Sequence, residues 1–147
     1  SAFFLCSFVP LWFNCGTMSW FQSLQRPQPL GKRGERYAAR LLRLKGHRLL
    51  LAGERNRFGE FDLVTIDERT PERRLVFVEV KTRRNEHAGS PAEAVTPEKQ
   101  RRLTRAAWSF LREHDLTDHP LRFDVVGIVW PVEAKRPVKV VHIEGAF

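Results

Sequence analysis

Gly59-Glu60-Phe61-Asp62-Leu63-Val64-Thr65-Ile66 and Leu75-Val76-Phe77-Val78-Glu79-Val80-Lys81-Thr82-Arg83 read as the two strands of one hairpin, with Asp67 to Arg74 as its loop. Both runs are rich in β-branched and aromatic residues with acidic ones interleaved, a pattern that favours strand. Successive side chains on a strand point to opposite faces. Glu60, Asp62, Val64 and Ile66 therefore share one face, as do Leu75, Phe77, Glu79 and Lys81. If the loop closes symmetrically, Ile66 lies opposite Leu75, Val64 opposite Phe77, Asp62 opposite Glu79 and Glu60 opposite Lys81. One face then holds three carboxylates and a lysine.

Directly opposed side chains have Cβ atoms roughly 4.5–5.5 Å apart, and like charges so placed repel. A divalent cation between Asp62 and Glu79 would offset that repulsion, since hard cations such as Mg²⁺ take carboxylate oxygens and keep several waters. Lys81 would sit beside such an ion. The alternative is an edge hairpin with a solvated charged face. Alternation with strongly apolar residues, and continuation of the face into Val64, Ile66, Leu75 and Phe77, argue for burial instead.

The chain is long enough, at 147 residues, for one domain with a real core, and its 42% apolar content fits a globular protein. A formal charge of +8, carried mostly by arginine, points to a polyanionic partner, nucleic acid before membrane. Cys6 and Cys15, the only two cysteines, precede Met18, so the remainder of the chain can build neither a disulfide nor a zinc framework, which fits a reducing cytoplasm. The five histidines are scattered, and surface or packing roles suit them best.

Ser1 to Thr17 is apolar but lacks the basic start of a secretory signal, and Pro10 and Asn14 interrupt it. Met18, the only methionine, reads as the start of the native chain, with residues 1–17 a misread upstream frame or leader; a membrane-targeting leader is the rival reading. Residues 18–30 read as a flexible arm and 31–147 as a single domain. Gly31 to Lys45 has helical periodicity, with Tyr37, Ala38, Leu41 and Leu42 as its apolar stripe and Gly46 as its stop. Glu35 belongs to that stripe. It either favours the helix dipole or reaches the carboxylate cluster as a further metal or water ligand; spacing alone leaves the two readings even.

His47 to Asn56 supplies a first strand, turned by Arg57-Phe58-Gly59 into the hairpin. Asn85 to Val95 is a loop following Lys81, Arg83 and Arg84. Thr96 caps a second helix with Pro97 in its first position, and Leu103, Ala106, Ala107, Phe110 and Leu111 form its buried stripe. Lys99 also lines up with the inward side, whereas Arg101, Arg102 and Arg105 spread toward solvent or phosphate. Leu121 to Trp130 and Val138 to Ile143 read as two closing strands, which makes the element order αβββαββ. Asp124, inside the first of them, is explained by pairing with Arg122 and is left out of the site.

Gly34-Glu35, Gly59-Glu60-Phe61-Asp62-Leu63-Val64, Phe77-Val78-Glu79-Val80-Lys81-Thr82-Arg83, Ala92-Glu93-Ala94-Val95 with Lys99, and Arg122-Phe123-Asp124-Val125-Val126 occur in that order. Together they resemble the YraN-like family of uncharacterised bacterial proteins, placed in the PD-(D/E)xK restriction-endonuclease-like superfamily near archaeal Holliday-junction resolvases. The resemblance covers about residues 31 to 130; Phe61 stands where the superfamily motif has proline. It implies a restriction-endonuclease-like α/β fold with a central mixed sheet of about five strands flanked by helices. It also implies that Asp62 and Glu79 hold Mg²⁺ or Mn²⁺ with help from the Val80 carbonyl, that Lys81 orients or deprotonates the attacking water, and that Glu35 matches the acidic residue of the first helix found in relatives. A metal lowers the pKa of bound water and stabilises charge on phosphoryl oxygens; a lysine acting as base needs a depressed pKa, and an electrostatic role for Lys81 is easier to accept.

The expectation is a metal-dependent nuclease acting on DNA ahead of RNA, branched or single-stranded, with Arg83, Arg84, Lys99, Arg101, Arg102 and Arg105 as nucleic-acid contacts. Analogy with resolvases adds a homodimer. The alternatives are a nucleic-acid-binding module that keeps the fold without turnover, and an accessory subunit that binds a partner.

Overall fold

The computed structural model describes residues 29–85, 91, 93 and 95–147. The expectations for residues 1–28, and those parts of the 85–95 loop that fall on 86–90, 92 and 94, lie outside the described residues. Seven elements follow one another: α1 (Leu30–Leu44), β1 (His47–Asn56), β2 (Gly59–Asp67), β3 (Arg74–Arg83), α2 (Pro97–Glu113), β4 (Leu121–Val129) and β5 (Lys139–Ile143). This is the expected αβββαββ order, and the strands form one open five-stranded sheet in sequence order. β1, β2 and β3 are a continuous antiparallel meander, β3 and β4 are parallel, and β5 returns antiparallel to β4. A parallel pair needs a long crossover, and α2 with its flanking loops is that crossover.

The two helices pack against opposite faces of the sheet, so each central strand feeds two cores. Under α2 lie Phe61, Val64, Leu75, Phe77, Phe123 and Val125 together with the helix's own Leu103, Ala106, Ala107, Phe110 and Leu111, the stripe expected from spacing. Phe77 is its hub, with ring centroids 4.6 Å from Phe61, 5.7 Å from Phe110 and 5.6 Å from Phe123. Under α1 lie Ala38, Leu42, Leu63, Val76, Val78, Val126, Ile128 and Trp130. Alternation along β3 explains the division: Leu75 and Phe77 enter one core, Val76 and Val78 the other. Thr96 caps α2 as expected, its side chain accepting from the Lys99 N–H at 3.3 Å.

α1 sits unusually close to β3. A Cβ built on Gly34 would stand 1.8 Å from Thr82 Oγ1, so only glycine lets the first turns of α1 approach the strand that carries Glu79 and Lys81.

The hairpin register is partly the expected one. Ile66 pairs with Leu75 and Val64 with Phe77, but ladder pairing ends at Leu63 with Val78. Alternation slips just beyond. Phe61 and Val64, three residues apart, both enter the core under α2, while Leu63 enters the core under α1. Asp62 occupies the slip. Glu60 is consequently turned off the α2 face and does not oppose Lys81; it pairs with Arg55 across the β1–β2 hairpin. The expected set of three carboxylates on one face is reduced to two, because burying the Phe61 ring decides the orientation of its neighbour.

Candidate functional site

Where the β2–β3 ladder stops, the Val80 N–H donates to Asp62 Oδ2 at 2.7 Å instead of to a backbone carbonyl of β2. The carboxylate thus replaces a ladder partner, which ties Asp62 to the strand that carries Glu79. Glu79, on the α2 face of β3, is 7% exposed. Two ammonium groups reach its Oε1: Lys81 Nζ from two residues along the strand, at 2.7 Å, and Lys99 Nζ from the first turns of α2. Asp62, Glu79, Lys81 and Lys99 therefore form one cluster at the C-terminal end of β3.

Its electrostatics are uneven. Burial, then the charge of Glu79, pushes the Asp62 carboxyl up to about 6; the Val80 N–H opposes this, and Glu35 adds a further negative field. Burial also disfavours charge on both lysines. Lys81 still ends above its usual value because Glu79 and Asp62 lie beside it. Lys99 ends below its usual value, since the neighbouring Lys81 ammonium adds to the burial that Glu79 only partly offsets. The two ammonium groups share one carboxylate oxygen, so their like charges repel, and Lys99 is the one on which that burden falls.

Glu35 is held by Lys32 at 2.9 Å, with its side chain 18% exposed, and the field it exerts on Asp62 places it on the cluster's α1 side. Lys99, expected as a nucleic-acid contact, lies inward on Glu79, as its spacing to Leu103 and Ala106 implies. Arg101, Arg102, Arg105 and Arg84 are exposed, as expected. The three helix arginines do not form one patch: Arg101 and Arg105 line a depression beside Phe147, while Arg102 lies against Gly59 at the β1–β2 turn. Arg83 lines a cavity next to Lys81.

Asp124 belongs elsewhere. Arg122 grips it with a two-bond fork of 2.7 and 2.9 Å, His142 Nε2 lies 2.9 Å away and the Gly145 N–H donates at 3.0 Å. Asp67, Arg69 and Glu144 extend this network near the C-terminus of α1. The pairing with Arg122 was legible from the sequence; the histidine and Glu144 partners were not, because they come from the last strand and the turn after it.

Among the described residues, no group of three or more histidine, cysteine, aspartate and glutamate side chains gathers closely enough to enclose a metal, and no helix is long and apolar enough to cross a membrane. The donor set is two carboxylates and backbone oxygens. That set suits a hard cation that keeps much of its water and does not suit zinc.

The fold and this cluster define a small mixed α/β domain in which a half-buried aspartate and a buried glutamate stand together with two lysines. Residues 34–128 match the family described as Uncharacterised protein family UPF0102. The chain is 42% identical over 141 residues to the UPF0102 protein of Rhodopirellula baltica, covering 91% of this chain and 83% of that one. It is 40% identical to the UPF0102 protein of Chlorobium phaeobacteroides and 44% identical to that of Bifidobacterium longum, covering 82% of this chain and 95% and 94% of theirs. The chain belongs to the UPF0102 family.

Proposed function

We propose that this UPF0102 protein is a metal-dependent nuclease that hydrolyses phosphodiester bonds in DNA, with Asp62 and Glu79 as ligands of Mg²⁺ or Mn²⁺. The observation that carries the reading is that Asp62 and Glu79 stand in one cluster at the end of β3, where burial first and the charge of Glu79 second lift Asp62 to about 6. An acidic pair kept together at that cost suits a cation held between them. The resemblance to the PD-(D/E)xK superfamily supports the same assignment, with Glu79-Val80-Lys81 as the acidic-x-lysine motif.

Asp62 and Glu79 would hold the cation with help from the Val80 carbonyl, while the hydrogen bonds from Val80, Lys81 and Lys99 keep the two carboxylates in place. A bound Mg²⁺ or Mn²⁺ would lower the pKa of its water and neutralise charge at the scissile phosphate. The chain's own residues do the rest. Lys81, held charged by its two acidic neighbours, stabilises negative charge developing on the phosphoryl oxygens. Lys99, released toward neutrality, is the better proton acceptor of the two for an attacking water. Val80 fixes the Asp62 carboxylate in place through its N–H, and Glu35 adds negative field from the α1 side. A nucleic-acid partner agrees with the +8 charge, with the exposed arginines of α2 and with Arg83 and Arg84 beyond Lys81; a homodimer would supply two such sites for two strands.

One observation favours a second reading. Two ammonium groups already balance Glu79, which a nucleic-acid-binding module without turnover would also show. Purified protein incubated with branched, flapped and linear DNA in Mg²⁺ or Mn²⁺ separates the two. Cleavage that disappears in Asp62→Ala and falls in Lys81→Ala supports the nuclease. Salt-sensitive binding with identical, uncut DNA from all three proteins supports the binding module.

A further inference from the structure

The face that carries Phe77, Glu79 and Lys81 does not end at the cluster. Alternation along β3 brings Arg83 onto it next, and the register continues it across the sheet: Lys81 lies beside Gly127 and Arg83 beside Val129 on β4, and these lie beside Val141 and Lys139 on β5. A cavity of about 410 Å³ opens over this area. Its floor is apolar and its rim is cationic, with Lys81, Arg83 and Lys139 around Val129, Val141 and Ile143. Pro91, from the loop after β3, packs directly over Gly127: a Cβ built there would stand 2.1 Å from the Pro91 ring. The absent side chain at 127 is what lets Pro91 wall the cavity.

Size, chemistry and position converge on one occupant. Small-molecule pockets run from about 300 to 1,000 Å³ and combine an apolar floor with a few polar groups. Nucleobases that leave the stack are held between apolar or aromatic side chains while their phosphates meet cations. Lys81 lines the cavity and also belongs to the carboxylate cluster, so a nucleotide seated here would be joined through its backbone to a phosphate at Glu79. We propose that the cavity bounded by Lys81, Arg83, Lys139, Val141 and Pro91 binds an unpaired nucleotide of the substrate strand adjacent to the phosphate at the site. This rests on the nuclease reading for its orientation, and it narrows the substrate to nucleic acid that presents an unpaired base, at a single strand, flap or junction.

The test measures binding without turnover. Oligonucleotides carrying 2-aminopurine, single-stranded and duplex, are titrated with protein in EDTA, using wild type, Val141→Phe to fill the floor and Lys139→Ala to remove one rim cation. Circular dichroism and thermal melting check that each variant is folded. Wild type is expected to bind the single strand at least five-fold more tightly than duplex, with a rise in 2-aminopurine emission as the base unstacks. Val141→Phe should abolish both the preference and the emission change while leaving duplex affinity intact. Lys139→Ala should weaken single-strand binding and lower the salt slope by about one. A ribo-oligonucleotide with the same probe that binds still more tightly keeps the pocket and changes only the preferred sugar. Equal binding of single strand and duplex by wild type, or a folded Val141→Phe that keeps the preference, overturns the proposal. If the same proteins cut linear duplex in Mn²⁺ without any such preference, the pocket fails and the nuclease reading stands; pocket binding with no cleavage in any divalent cation is the reverse.

Discussion

The Asp62 carboxylate accepts the Val80 N–H at 2.7 Å, yet burial and the nearby charge of Glu79 together drive it up to about 6. A carboxyl whose folded pKa exceeds its unfolded value near 3.8 is stabilised in the protonated form, so it supports folding at low pH and that support is lost as pH rises through about 6. A gap of some two units corresponds to roughly 2–3 kcal/mol of strain above pH 6. Asp62→Asn keeps an oxygen for the Val80 N–H and removes the charge. In EDTA the variant is expected to melt several degrees above wild type at pH 8 and to lose that advantage by pH 4; a lower melting temperature at pH 8 would contradict the assignment. Mn²⁺ should stabilise wild type and not the variant.

Lys99 and Lys81 share one oxygen of Glu79 but differ in acidity, Lys99 lowered and Lys81 raised. Limited acylation near pH 8, followed by peptide mass spectrometry, should modify Lys99 ahead of Lys81, because only the neutral amine reacts. Under the nuclease reading, Lys99→Met lowers cleavage about 10²-fold, the order seen when one preorganised polar group is lost from an active site. Labelling in the opposite order would reverse the roles given to the two lysines.

Asp124 and Asp67 form a second electrostatic centre whose function is structural. Burial alone would raise Asp124, but His142, Arg122 and the Gly145 N–H more than offset it and hold it below its usual value. Asp67 is held well below the carboxylate range, mainly by Arg69. Both are depressed on folding, so the stability they contribute is present above the unfolded value near 3.8 and is lost as pH falls below it. Asp124→Asn keeps one acceptor oxygen but removes the charge and turns an amide donor toward Arg122 or His142, and should cost about 3 kcal/mol. Urea unfolding at pH 7 measures this; under the nuclease reading, DNA cleavage by the folded fraction should be unchanged.

Gly34 lies against Thr82. Alanine is a better helix former by about 1 kcal/mol, so on propensity alone Gly34→Ala should stabilise α1. A Cβ 1.8 Å from Thr82 Oγ1 reverses the sign: α1 must lift from β3, with a net loss of about 1–3 kcal/mol. Thr82→Ala should restore part of that loss in the double variant, and a double-mutant cycle from thermal melts reads the coupling directly. Additive effects would mean the two residues do not meet.

The strands and helices were legible because their periodicities are strong, and α2 carries both a threonine cap and a stripe from Leu103 to Leu111. That Asp62 and Glu79 would come near each other was legible from the hairpin, but not the way they do: the ladder ends at Leu63 with Val78, and the Val80 N–H joins Asp62 to β3 where register pairing was expected. The fate of Glu60 was not. Strict alternation put it with Asp62, but the Phe61 ring gains more by entering the core beside Phe77 than a regular pleat would allow, and the shift turns Glu60 toward Arg55. The capture of Lys99 by Glu79 depends on where a crossover helix docks, a long-range event that local spacing marks only as an inward direction. The β4 and β5 walls of the cavity were invisible for the same reason, since register between β3 and β4 is set by packing across the α2 crossover and not by a turn.

Because α2 bridges the parallel pair β3 and β4, the lysine it delivers reaches Glu79 only once the crossover that follows β3 has closed over the sheet. A ribosome that has released β2 and β3 alone has produced the acidic pair and Lys81 but neither Lys99 nor the roof above them. The cluster is thus complete only when the crossover has packed onto the sheet, so the state of Glu79 reports whether α2 is docked.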